Sequence, residues 1–248
     1  MVLKVHGTKG STCTQRVLTA LHEKGVPYEL IIIDFKVAEH KSEKYMKLQP
    51  FGKIPVLDDD GFILFESRAI ARYIAKKYAG QGTPLLPAED DLKAYGLFEQ
   101  VRIRGQEGDK NTADRATSRR AHLSSSTSTR LHRKLPLRRS SKGMNRSPIQ
   151  SQSNIANRCR LKGLGGPDEA QLAKLAAALD TTLAVYEGLL QKHKYLAGDE
   201  LTLADLFHIP YGKMARDVGY LELFEKYPHV AKWFDGLLAR ESWKKTTS

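Results

Sequence analysis

Residues 9–17, KGSTCTQRV, put three hydroxyls and a thiol at four consecutive positions, Ser11, Thr12, Cys13 and Thr14. A hydroxyl between an apolar run and a helical pattern is an ordinary helix N-cap. The same junction also presents unpaired backbone N–H groups and the positive end of the helix dipole, which favour an anion. A cysteine in the first turn feels the same field, which lowers a thiol pKa and suits mixed-disulfide chemistry. Ser11 and Cys13 are therefore rivals, and two positions on a helix turn their side chains about 200° apart. Glu66-Ser67 form a second junction, where a helix start welcomes a carboxylate and the Ser67 hydroxyl can donate to it. An N-cap serine is the plainer alternative there. In LTLADL, Thr202 and Asp205 have the spacing of a capping box, so Asp205 is expected to serve folding and not catalysis. His208 and the other histidines lack partners at metal-ligand spacing, and no metal site is expected.

These residues need elements to position them. VLKVHG reads as a short strand, Arg16 to Lys24 as a helix with Val17, Leu18 and Leu21 inward, and YELIIID as a buried strand. After a polar helical stretch, KIPVLDDDGFILFES gives two strands joined at an Asp60-Gly61 turn, and ESRAIARYIAKKY gives a helix with Ile70, Tyr73 and Ile74 on one face. The order βαβ then ββα is the thioredoxin-like plan, over residues 1–80. In that plan Ile54-Pro55, just before a strand, is the place of a cis peptide bond that turns the Ile54 backbone outward to pair with an extended peptide. With Ser67, the pattern describes a site for a small peptide held by its backbone and a terminal carboxylate.

GQGTPLLP, Gly80 to Pro87, has a linker's composition, the linker is expected at 81–90, and the regular text of 91–248 reads as helix. Leu172, Leu175, Ala176, Leu179, Leu183, Tyr186 and Leu190 mark one long amphipathic helix, and Val230, Trp233, Phe234, Leu237 and Leu238 another. The expected fold is thus an α/β thioredoxin-like domain followed by an all-α domain. No apolar run approaches the roughly 20 residues of a membrane span. MVLK shows no charged region followed by a long apolar stretch, and two cysteines make no disulfide framework, so a cytoplasmic setting is expected.

The formal charge of +12 first suggests an anionic partner, but its distribution argues otherwise: residues 101–162 hold 16 Lys/Arg and 3 Asp/Glu of the chain's 40 and 28. That segment has no Phe, Tyr or Trp and is rich in Ser, Thr, Arg and Asn. It has too little apolar area to offset an ordering cost of about 1–2 kcal/mol per residue, so disorder is expected. It reads as translated non-coding or out-of-frame text. A basic extension that binds nucleic acid, or a regulatory loop around RRSS, are the alternatives, and the Arg clusters lack the aromatic interleaving of single-strand binders.

The stretches GSTCTQRVL, EHK at Glu39 to Lys41, QPFGKIPVLDDDGFILFESRAIARYI, YAGQGTPLL and KYLAGDELTLADLFHIPYG closely resemble the glutathione transferase family, and within it the phi class of plants and fungi. The resemblance covers residues 1–100 and 163–248. It implies an enzyme that conjugates glutathione to small electrophiles in detoxification, with no cofactor, dimeric in its family, and with no membrane and no nucleic acid as partner. It places the catalytic serine at Ser11 and glutathione contacts at His40, Lys41, Ile54, Pro55, Glu66 and Ser67, with Thr12 and Phe35 at the co-substrate pocket. Lys53 departs from the family's usual Gln, and a cation there can face the glycyl carboxylate. In this setting a serine hydroxyl beside the helix N-terminus favours thiolate over thiol without itself acting as a nucleophile. Because residues 101–162 stand where a helix lining the co-substrate pocket belongs, a glutathione-binding protein with little turnover is the alternative.

Overall fold

The computed structural model describes residues 2–102 and 169–248. From 103 onward, the expected disorder of 101–162 and the account of its origin fall outside the described residues. Val101 and Arg102 do not fit that expectation: both continue a helix, Val101 is buried, and Arg102 donates to Glu99 one turn earlier.

The N-terminal unit is built on a four-stranded sheet of order β2-β1-β3-β4, with β1 Leu3–Gly7, β2 Tyr28–Ile32, β3 Val56–Asp59 and β4 Phe62–Phe65. β1 and β2 run parallel, joined through helix α1 (Thr12–Lys24), while β3 pairs antiparallel with both β1 and β4. The β3–β4 turn uses Asp60 and Gly61, both at positive φ (54° and 87°), the turn chemistry that matches strand twist. The Asp58 carboxylate accepts from the Gly61 N–H at 2.8 Å and holds the turn closed. A short 3₁₀ turn, Glu39–Lys41, leads into α2 (Glu43–Leu48), and α3 (Ser67–Lys77) follows β4. Leu3, Val5, Val17, Leu21, Ile70 and Ile74 form the core between sheet and helices.

Two expectations change here. β2 is an edge strand and not a buried one: Ile33 beyond its end is buried, but Ile32 is 58% exposed. A run of apolar residues does not say which side of a sheet lacks a neighbour. Helix α1 is also buried almost all round, including Thr14, Arg16, Thr19, Glu23 and Lys24, because α3 lies on one side and the C-terminal helix on another.

Residues 78–91 carry no regular structure, yet Leu85 is buried and its carbonyl accepts the Leu203 N–H at 2.9 Å. Helix α4 occupies 92–102. The remaining helices among the described residues are α5 (Glu169–Leu190), α6 (Leu203–Leu206), α7 (Ile209–Ala215), α8 (Leu221–Glu225), α9 (Pro228–Leu238) and α10 (Glu241–Thr247), with a π-helical turn, Arg216–Tyr220, between α7 and α8. Phe98, Leu183, Tyr186, Leu206, Trp233 and Phe234 belong to their common core. The capping box at the start of α6 is present as expected. Asp205 is fully buried, and its carboxylate accepts from the backbone N–H groups of Leu196 and Thr202, the Thr202 hydroxyl and the Trp233 indole at 3.0–3.2 Å. Burial pushes this carboxyl up, against the pull of those four donors.

Candidate active site

Ser11 caps α1. Its backbone is extended (φ −88°, ψ 122°), and its Oγ accepts the Thr14 N–H at 3.3 Å. The hydroxyl hydrogen meets no acceptor among the described residues, so it is available to a ligand at the helix N-terminus. Backbone bonds from Ser11 N to Thr8 O (3.0 Å) and from Gln15 N to Ser11 O (2.8 Å) fix the residue from both sides. Thr12 opens the helix beside it, half-buried. Cys13 is a free, half-buried thiol one turn below the guanidinium of Arg16, whose Nη1 lies 3.8 Å from Sγ. The capping hydroxyl and the thiol thus belong to different faces of one turn.

A second group forms at the start of α3. Ile54-Pro55 is cis, as the topology implied, and Pro55 is buried while Ile54 packs against Ile33, Tyr45 and Val56. Glu66 caps α3 with φ 71° and ψ 107°, a backbone conformation that costs a non-glycine residue about 1–3 kcal/mol and is held only where its surroundings fix it. Its carboxylate is exposed. Ser67, the first residue of the helix, is buried, and its Oγ accepts from Arg16 Nη1 at 2.8 Å. A helix N-terminus next to a free carboxylate suits the two ends of an α-amino acid, its carboxylate and its ammonium.

Phe35, His40, Lys41 and Lys53 form a third group. His40 stacks on Phe35 with ring centroids 4.2 Å apart, and Phe35 stays half exposed. Lys41 Nζ donates to the Phe51 carbonyl at 3.0 Å. Gly52, at φ 57°, lets this loop close on residues 40 and 41, since a Cβ there would stand 2.7 Å from both the His40 carbonyl and Lys41 Nζ. Lys53 is exposed while its carbonyl accepts from the Tyr45 hydroxyl at 2.8 Å, which leaves its side chain toward solvent. Burial, with Glu39 adding to it, pushes that phenol up to about 12, so it remains a donor.

The residues expected to bind therefore fall into three groups: Ser11 and Thr12; Ile54, Pro55, Glu66 and Ser67; and Phe35, His40, Lys41 and Lys53. The helices that carry the first two, α1 and α3, are joined by Arg16 through Ser67, and sequence reasoning missed this residue because an arginine between Gln15 and Val17 on a helix reads as a solvated side chain. The described contacts tie the third group to the 51–53 loop and not to α1. Among the described residues no group of three or more His, Cys, Asp or Glu side chains could hold a metal ion, and no helix is long and apolar enough to cross a membrane.

Family models agree with this architecture. The glutathione S-transferase N-terminal domain matches residues 1–76 and the glutathione S-transferase C-terminal domain matches 145–241. The second match opens inside 101–162, so family-like text resumes before Gly163. Glutathione S-transferase hmp2 of Hypomyces subiculosus is 41% identical over 100% of this chain and 99% of its own length. The crystal structure of glutathione transferase F7 from Populus trichocarpa superposes with a TM-score of 0.76 at 31% identity, covering 99% of this chain and 97% of that one. Glutathione S-transferase I from maize, in complex with an atrazine glutathione conjugate, gives a TM-score of 0.75 at 29% identity over 100% and 97% of the two chains. With both domain models matched and relatives aligned along its full length, the chain belongs to the glutathione S-transferase family, in the phi class that the F-designated poplar enzyme supports, and is a glutathione transferase.

Proposed function

We propose that Ser11 is the catalytic residue of this transferase and that it works by stabilising the thiolate of bound glutathione. The observation that carries the reading is the Ser11 hydroxyl at the N-cap of α1, accepting from Thr14 N–H and left with its own hydrogen to donate. A hydroxyl that accepts one bond donates a stronger one, and the N-terminal dipole adds a favourable field for sulfur anion. The thiol proton is released to solvent, the thiolate attacks an electrophilic carbon, an S–C bond forms, and the leaving group departs with its bonding electrons.

Glutathione is substrate and not cofactor. Its γ-glutamyl end is an α-amino acid, which fits Glu66 for the ammonium and Ser67 with the α3 N-terminus for the carboxylate. Ile54, positioned by cis-Pro55, presents backbone to the cysteinyl residue, Lys41 and Lys53 supply positive charge for the glycyl carboxylate, and His40 offers it a ring N–H. Thr12 and the exposed edge of Phe35 border the space for the electrophile. The maize neighbour's atrazine conjugate favours activated aryl halides as that class.

A homodimer is part of the same reading. Phe62 and Leu92 are 50% and 78% exposed, Phe62 packs on Tyr73, and the adjoining Arg72 donates to the Tyr95 hydroxyl at 3.2 Å, so β4, α3 and α4 share one face with unpartnered apolar groups. Cytoplasmic detoxification is the setting proposed for this activity. Retention of the full chain on immobilised glutathione, followed by turnover of an activated aryl chloride, tests the reading. Retention with turnover is expected. Retention without turnover would instead favour a binding protein.

A further inference from the structure

Arg16 is 1% exposed in the middle of α1, and its guanidinium reaches in two directions, to α3 within the N-terminal unit and outward to the helical domain. Nη1 donates to Ser67 Oγ at 2.8 Å. Nη2 lies 3.5 Å from the Phe207 carbonyl, and the guanidinium carbon sits 5.6 Å from the ring centres of both Phe207 and Tyr211. Phe207 follows α6 directly and Tyr211 lies in α7, so one side chain joins α1, α3 and the helical domain.

The direction of the Ser67 bond has a consequence for the ligand. A guanidinium has donors and no acceptor, so Ser67 Oγ must accept from Arg16, and the single hydroxyl hydrogen of Ser67 is left to donate elsewhere. We propose that Arg16 is a positioning residue for the glutathione carboxylate at the N-terminus of α3: it fixes the Ser67 hydroxyl as a donor toward substrate and anchors that donor to the helical domain through Phe207 and Tyr211. The inference rests on the reading of Ser67 as a carboxylate donor. Accepting a charge-assisted bond also strengthens the bond that Ser67 donates, and the guanidinium adds positive charge behind the carboxylate. Lysine keeps the charge but not the planar fork that spans Ser67 and Phe207, so charge and geometry are separable at this position.

The test uses the full chain and compares wild type, Arg16→Lys, Arg16→Gln, Ser67→Ala and the Arg16→Lys, Ser67→Ala double variant, each with thermal unfolding measured alongside. Arg16→Gln is expected to raise KM for glutathione about tenfold, with kcat changed less than about threefold, and Arg16→Lys to restore part of that loss. In the Ser67→Ala background, Arg16→Lys is expected to add less than about twofold, because the hydroxyl it orients is gone. Should Arg16→Gln not fold, the lysine variant and the cycle still decide. Equal effects of Arg16→Lys with and without Ser67, or a wild-type KM in folded Arg16 variants, would overturn the inference alone. A wild-type KM in Ser67→Ala would overturn the reading of Ser67 and the inference together.

Discussion

At Ser11 one oxygen accepts the Thr14 N–H that would otherwise be unpaired at the start of α1, and in the proposed mechanism the same hydroxyl keeps its hydrogen for the substrate thiol. The capping role and the chemical role are therefore compatible, and the sequence could pose the choice between them without deciding it. Ser11→Ala is expected to lower kcat about tenfold or more, an order of magnitude being about 1.4 kcal/mol and within the range of one hydrogen bond to a charged group. Cys13→Ala is expected to leave kcat nearly unchanged, because its thiol sits by Arg16 on another face of the turn. Steady-state rates with an aryl chloride at saturating glutathione check both. The roles of Ile54, Pro55, Glu66 and Ser67 toward glutathione remain part of the proposal, but their positions were legible because each occupies a helix start or a strand entry with its own local signature. Arg16 was not, because its partner Ser67 is 51 residues away and no local pattern records a contact made through the core.

Among the elements, α6 shows how a four-residue helix can anchor a domain. Asp205→Ala would leave the N–H groups of Leu196, Thr202 and Trp233 buried without their acceptor, at about 1–3 kcal/mol each. A loss of at least about 3 kcal/mol is expected, which lowers Tm by about 6–12 °C in a chain of this size. KM for glutathione in the folded protein should not move, which calorimetry and kinetics together verify. The capping box, the Asp60-Gly61 hairpin and the cis Ile54-Pro55 bond all follow from short-range chemistry and were readable. The exposure of β2 and the burial of α1 on every side depend on what packs from elsewhere in the chain, and were not.

The α1–α10 contact is the clearest of these non-local features. Glu23 accepts from Arg240 Nε (2.5 Å) and Nη2 (2.7 Å), from Ser242 Oγ (2.5 Å) and from Thr83 Oγ1 (2.6 Å). Burial pushes its carboxyl up, but the bonds from Arg240, Ser242 and Thr83 outweigh it and hold the group below its ordinary value. The sign follows from linkage. A carboxyl depressed in the folded state contributes stability in full above its unfolded pKa, near 4.5, and that contribution is lost as pH falls through the lower folded value. Glu23→Gln should therefore cost roughly 2 kcal/mol at neutral pH and flatten the acid limb of stability. Urea unfolding from pH 7 down to about pH 3 reads both effects.

For the molecule as a whole, two cores meet along α1, which carries Ser11 at one end, Glu23 at the other and Arg16 between them. The division into a sheet-based unit and a helical unit was visible in the change of hydrophobic period, but the side chains that couple the two were not. On the outer face, Phe62→Asp should shift the proposed dimer toward monomer at micromolar concentration, which sedimentation velocity resolves, whereas an unchanged sedimentation coefficient would place the dimer contact elsewhere. The central claim is that Ser11 stabilises the glutathione thiolate, and the most direct measurement is a pH titration of thiolate absorbance for glutathione bound to wild type, Ser11→Ala and Cys13→Ala. The account predicts a bound thiol pKa well below that of free glutathione in wild type and Cys13→Ala, raised by about one unit in Ser11→Ala. An unchanged pKa in Ser11→Ala, or a rise in Cys13→Ala instead, would contradict it.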